Sequence, residues 1–255
     1  MTWVYSLLYV YIVLIGCCVG SFLNVVALRS GSGESFVKGR SHCPSCGVAL
    51  RLWELIPVFS YLFLRGRCRT CRVRISPRYL LTEMALGGVF ALCFWRYGLS
   101  LETVNACLTA SLLFCVFLID LQSMIIPNGL VLAFLVPIAF DLFLTGFSGI
   151  IGRVIGFFAV SLPMLLLTCL IPDAFGGGDI KLIAVCGFLL GWKAILLAAF
   201  FAVVGCGLVS MVRLALKKVN KGDHIAFGPY LAAGILAARL FYTPIMNAYL
   251  SLLSY

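Results

Sequence analysis

The stretch "AFGGGDIKLIAVCGFLLGW" (residues 174–192) sets three glycines and Asp179 at the head of an apolar run of helix-forming composition. Such a carboxylate needs a reason, because the chain around it is 63% hydrophobic and 11% charged. No soluble domain of 255 residues could bury that proportion of apolar surface. The composition therefore indicates a polytopic membrane protein, all-α because a spanning helix satisfies its own backbone.

A hydrocarbon core about 30 Å thick takes roughly 20 residues of helix to cross. Working outward from residue 174, the candidate spans are 5–27, 79–97, 103–120, 129–147, 150–171, 180–192, 193–213 and 226–250. That makes eight, of which the sixth is short. The first segment, "MTWVYSLLYVYIVLIGCCVG", has no basic flank and no small-residue cleavage site, so it is expected to be a retained helix. The expected organisation is a first membrane helix (1–28), a four-cysteine loop domain (29–78) and a multi-helix transmembrane domain (79–255).

Charge orients these spans. Residues 29–78 carry ten Lys/Arg against Glu34 and Glu54, and the loops near 172–181 and 213–221 bring that side to fifteen. The opposite side has only Arg96, Arg153, Lys193 and Arg239. By the positive-inside bias the fifteen face the cytoplasm and both termini face the periplasm. The net charge of +10 is accounted for by anionic lipid headgroups, and no nucleic-acid partner is expected.

The basic loop contains "HCPSCG" and "GRCRTC". Two Cys-x-x-Cys pairs, Cys43/Cys46 and Cys68/Cys71, have 21 residues between them, slightly beyond the usual spacing of a zinc ribbon. In a reducing cytosol four such thiols favour a structural zinc over disulfides or redox chemistry. A four-cysteine site leaves no open position for catalysis, and His42 is expected at the surface rather than on the metal. The other eight cysteines, scattered through apolar segments, are expected to pack as small hydrophobes.

Ionisable residues inside spans are costly and are functional candidates by default. Asp141 is expected at an interface, Asp173 as a helix-end cap and Asp223 in solvent. Asp120, in "LIDLQSMIIPN" (118–128), ends an apolar helix just before Pro127, and Asp179 begins one. Both fall on the cytoplasmic face. Two carboxylates sharing one proton can hydrolyse an amide without a metal or a covalent intermediate. Gly176, Gly177 and Gly178 are expected to let a substrate backbone approach Asp179. Lys181 and the helix start favour its anion, which casts Asp179 as base and Asp120 as acid.

With these residues in view, the chain resembles the type IV prepilin peptidases, the bifunctional leader peptidase/N-methyltransferases of the GxGD aspartic protease group. The resemblance rests on "GSFLNVVALR" (20–29), "CPSCG" (43–47), "IPVFSYLFLRGRCRTC" (56–71), "ISPRYLLTE" (75–83), "LIDLQSMIIPN" (118–128), "GGGDIKL" (176–182) and "FGPYLAAG" (227–234). "SGSGE" stands where Leu-Pro is common, and Ala226 where proline is usual.

The resemblance implies Asp120 and Asp179 as catalytic residues and Cys43, Cys46, Cys68 and Cys71 as metal ligands. It implies cleavage of a short basic leader from prepilins or pseudopilins at the inner membrane. Methylation of the new amino terminus by S-adenosylmethionine would follow. No Rossmann-like glycine fingerprint is present, "GSGES" (31–35) being expected as a linker, so the methyl-donor site is not located by the sequence. The alternatives are a membrane peptidase of the same group that processes another precursor without methylation, and a proton-relaying transporter, whose frequent internal repeat is not visible here.

Overall fold

The computed structural model describes residues 2–32, 41–43, 45–171, 174–216 and 225–253. Gly31 and Ser32 close the first helix; the rest of the 31–35 piece, Asp173, Asp223, Lys217, Lys218 and Lys221 lie outside the described residues. Among those described, regular structure is helical apart from two isolated β-bridges. The chain forms two compact units, residues 1–99 and 100–255.

The first unit contains α1 (Thr2–Ser32), a 3₁₀ turn (Leu52–Leu55), α2 (Phe59–Phe63) and α3 (Pro77–Tyr97). Lipid tails are as apolar as leucine, so helices in a bilayer associate through close packing and hydrogen bonds. The α1–α3 pair uses both. A Cβ at Gly16 would lie 2.8 Å from the Gly87 Cα, so only bare backbone fits there. The Asn24 amide donates to Thr82 Oγ1 at 2.6 Å, and the Tyr9 and Phe94 rings meet edge-on at 4.8 Å. Ser76 caps α3 and Pro77 occupies its first turn, where a missing N–H costs nothing.

The second unit contains α4 (Leu101–Ser123), α5 (Asn128–Ala133), α6 (Leu135–Thr145), α7 (Ile150–Ala159), α8 (Ser161–Leu170), α9 (Gly177–Leu190), α10 (Trp192–Ala215) and α11 (Gly228–Leu253). The breaks between α5 and α6 and between α7 and α8 share a cause. Pro137 and Pro163 cannot donate to the carbonyls four residues earlier, those of Ala133 and Ala159, where α5 and α7 stop. The core joins Leu113 and Val116 of α4 to Phe134, Leu182, Ile195 and Leu231.

Six segments among the described residues are long and apolar enough to cross a membrane: Trp3–Ser30, Leu101–Ser123, Asn128–Thr145, Ile150–Leu170, Trp192–Ala215 and Gly228–Leu252. The protein is an integral membrane protein. The two other expected spans are helices of a different character. Helix α3 carries Arg78, Glu83 and Arg96 among its 21 residues, and α9 has only 14.

Helix α9 packs closely on α7. Two small-residue pairs four apart, Gly152/Gly156 and Gly187/Gly191, face each other in antiparallel register. A Cβ on Gly156 would fall 2.3 Å from the Gly187 carbonyl oxygen, and one on Gly187 would fall 2.1 Å from that of Gly156. Backbone touches backbone there, in the manner of glycine-mediated membrane helix crossings.

Candidate active site and candidate metal centre

Asp120 is the twentieth residue of α4, and Met124, in a left-handed conformation, ends that helix by returning its N–H to the Asp120 carbonyl at 2.9 Å. Asp179 is the third residue of α9, whose N-cap is Gly176. Both side chains belong to buried residues, 4% and 9% exposed. Gly178, next to Asp179, packs on Ile126 just after α4, so the segments that carry the two acids are in contact. The structure thus brings together two acids that are 59 positions apart in the sequence.

Helix α11 supplies the third part. The Gly228 N–H donates to Asp120 Oδ2 at 3.0 Å, and just ahead of it the Phe227 ring packs on Phe175, which precedes α9, at 5.8 Å. The loops leading into α9 and α11 therefore close over the same place. Asp179 Oδ1 is buried with no hydrogen-bond partner among the described residues. A buried oxygen in that state favours a ligand or water that can donate to it.

The glycines divide their work. A Cβ on Gly178 would come 2.9 Å from Ile126 Cβ, so this residue packs on the segment that follows α4. A Cβ on Gly176 would lie 3.0 Å from Asp179 Oδ2, whereas Gly177 borders open space. Lys181 is turned elsewhere: its ammonium donates to Asn128 Oδ1 at 2.9 Å. That takes away the lysine's part in favouring an Asp179 anion. An apolar cavity of about 520 Å³ is lined by Ile180, Lys181, Ala184 and Val185, the side of α9 turned away from Asp179, and neither acid lines it.

The four cysteines form two near-identical turns. Cys43 N–H donates to the Val48 carbonyl and Gly47 N–H to that of Cys43; Cys68 N–H donates to Val73 and Arg72 N–H to Cys68. A bridge flanks each turn, His42 with Ala49 and Arg67 with Arg74. All four sulfurs lie within 4.8 Å of one another, and Cys43 Sγ is 3.7 Å from Cys71 Sγ. Tetrahedral bonds of about 2.3 Å would place sulfurs roughly 3.8 Å apart, so the set fits a metal ion. Amides of Cys46 and Ser45 lower the Cys43 thiol to about 6, which favours the ligating thiolate. His42 is exposed and not part of the sulfur cluster. Glu54 supports the second turn by pairing with Arg69 at 3.1 Å.

Glu83, a buried acid of α3, accepts the Val58 N–H at 2.8 Å. This anchors a β-branched residue held at φ +63°. Asp141, near the end of α6, pairs with Arg153 at 2.5 Å and with Arg239 at 3.4 Å in a half-buried triad. Sequence reading missed this triad, the Gly228 amide and the α7–α9 glycine crossing. Only the last had a local signal, the paired Gly-x-x-x-Gly spacings.

Long apolar helices, two buried acids at helix ends and a four-thiol cluster that fits a metal ion define a class of polytopic membrane protein with a cysteine-rich loop. Residues 14–97 match the Bacterial Peptidase A24 N-terminal domain, and residues 107–211 match the Type IV leader peptidase family. Three proteins called prepilin leader peptidase/N-methyltransferase are similar along most of their length. That of Bacillus subtilis is 33% identical over 97% of this chain and 98% of its own. That of Neisseria gonorrhoeae is 32% identical over 85% of each. That of Pseudomonas aeruginosa is 30% identical over 93% of this chain and 92% of its own. No solved structure matches the chain. The chain belongs to the prepilin leader peptidase/N-methyltransferase family.

Proposed function

We propose that this protein is an aspartic endopeptidase that removes the leader peptide of prepilins or pseudopilins and then methylates the new amino terminus with S-adenosylmethionine. Asp120 and Asp179 are the catalytic pair. The observation that carries this reading is the meeting of two buried acids, Asp120 oriented by the Gly228 amide and Asp179 presenting an unpartnered oxygen. A water held by the pair loses a proton to one carboxylate as it attacks the scissile carbonyl. The other carboxylic acid protonates the departing amine, and the shared proton belongs to the pair rather than to one residue. Gly177, facing open space, borders the substrate backbone.

Cys43, Cys46, Cys68 and Cys71 would hold a structural zinc, whose contribution is to tie the two turns of the loop together. Eight helices cross the inner membrane in this reading, α3 and α9 completing the six that are long and apolar. The cation-rich loops and both aspartates face the cytoplasm, with both termini in the periplasm. Residues 1–28 anchor, 29–78 hold the metal and 79–255 carry the peptidase chemistry. The methyltransferase half rests on the names of the relatives.

The test uses purified protein in detergent and a synthetic prepilin. Asp120→Ala and Asp179→Ala should each abolish leader release while leaving zinc content unchanged, and persistent cleavage in either rejects the dyad. Mass spectrometry with an isotopically labelled methyl donor should add one methyl group to the cleaved product.

A further inference from the structure

The second unit contains a half-buried ionic cluster remote from the aspartates along the helices that carry them. Asp141, on α6, accepts from three partners: Asn105 Nδ2 at 3.1 Å, Arg153 at 2.5 Å and Arg239 at 3.4 Å. The side chains of Asp141, Arg153 and Arg239 are only 11–13% exposed. Arg153 also donates to Thr145 Oγ1 at 3.1 Å and to the Leu189 carbonyl at 3.4 Å.

One negative charge facing two guanidinium groups leaves a surplus of positive charge in a low-dielectric setting, which is costly unless compensated. The Leu189 carbonyl offers part of that compensation, because it lies in the last turn of α9, where the helix dipole ends negative. The same bond satisfies a carbonyl that the short helix leaves open.

Each of the three helices that build the acid pair is tied to this one carboxylate. Helix α4 carries Asp120 and reaches Asp141 through Asn105. Helix α11 supplies the Gly228 amide to Asp120 and reaches Asp141 through Arg239. Helix α9 carries Asp179 and reaches Asp141 through Leu189 and Arg153. The tie points lie 10–15 residues along the helices from the site, or about 15–22 Å at helical rise. At 14 residues α9 cannot take its axial position from the thickness of the bilayer, so it needs an internal stop.

We propose that Asp141, with Arg153 and Arg239, is a positioning centre for the peptidase reaction: it fixes the axial register of α4, α9 and α11, and so the separation of Asp120 and Asp179. This rests on the peptidase reading above. An offset of about 1 Å between reacting groups can cost on the order of a hundredfold in rate, so small slippage of α9 would show in turnover.

Two variants test it. Arg153→Lys keeps the charge but cannot serve Asp141, Thr145 and Leu189 together. A triple variant, Asp141→Leu/Arg153→Leu/Arg239→Leu, removes every charge of the triad, and apolar replacement of buried ion groups is often neutral or stabilising. Both are assayed in detergent with a synthetic prepilin, well below their unfolding midpoints. The expected result is kcat lowered roughly tenfold or more with KM within about twofold of the parent, and for the triple variant an unfolding midpoint no lower than the parent's. Parental kcat in Arg153→Lys, or in a triple variant that retains the parental midpoint, overturns the proposal. A KM increase at unchanged kcat also overturns it, since that would mean substrate binding rather than register. Should the triple variant not fold, Arg153→Lys decides alone. Should the folded parent release no leader, the peptidase reading falls first, an outcome distinct from variants that cleave as well as an active parent.

Discussion

Gly228 and Asp120 are 108 positions apart in sequence, yet the amide of one lies 3.0 Å from the carboxylate of the other. A Cβ at position 228 would fall 2.6 Å from Asp120 Oδ2. Gly228→Ala should therefore push the carboxylate off its position while leaving the helix intact. We expect leader cleavage to fall about a hundredfold with little change in unfolding temperature. Steady-state kinetics alongside a thermal melt checks both halves, and parental kcat/KM would show that the amide does not orient the acid.

The α7–α9 crossing should be as intolerant as its geometry. Gly187→Ala or Gly156→Ala drives a methyl into a backbone carbonyl, and overpacking of this kind costs about 1–3 kcal/mol. Gly207 in α10 is the control, since nothing lies within 4 Å of its added Cβ. Gly207→Ala should be neutral or stabilise slightly, by about 0.5–1 kcal/mol, because alanine loses less backbone entropy in a helix. Comparing the three unfolding midpoints in one detergent tests the contrast.

Metal content should depend on four thiols and no others. Serine at Cys43, Cys46, Cys68 or Cys71 should each remove zinc measured by elemental analysis, whereas Cys93→Ser and Cys107→Ser should leave it unchanged. Acidification should expel the ion too, because protons compete for the thiolates. The Cys46 and Ser45 amides already lower Cys43 to about 6, so zinc content should hold at neutral pH and fall as the pH is taken into the acid range. Zinc retained after loss of Cys43 and Cys68 together would disprove the site.

Lys181→Ala should be mild. Its ammonium is exposed and bonded to Asn128, on the far side of α9 from Asp179, and such a hydrogen bond contributes about 1 kcal/mol or less. Cleavage within about threefold of the parent is expected. A loss of several hundredfold would place the lysine in the chemistry after all.

Much of this was legible in the residues. Apolar segments recur at helix-length intervals, and every one is helical in the structure. The four cysteines announced their cluster by spacing alone, and Asp120 and Asp179 stood out as acids where acids are costly. The breaks at Ala133 and Ala159 could also have been taken from Pro137 and Pro163, four positions later.

What stayed hidden depends on tertiary neighbours. The partners of Asp141 stayed hidden because nothing local shows that α7 and α11 bring arginines to it. Lys181 looked like a partner for Asp179 because it is two positions away, yet two positions on a helix turn a side chain to the opposite face. The Gly228 amide had no signature at all, since a backbone donor is present at every residue but proline.

A 14-residue helix reaches about 21 Å, well short of a hydrocarbon core of about 30 Å. From Leu182 to Leu190 every residue of α9 is buried or half-buried, so neighbouring helices rather than lipid surround it and make up the difference. Sheathed in this way, the one element that holds Asp179 is insulated from the solvent it sits in, and turnover should change little across vesicles of shorter and longer acyl chains.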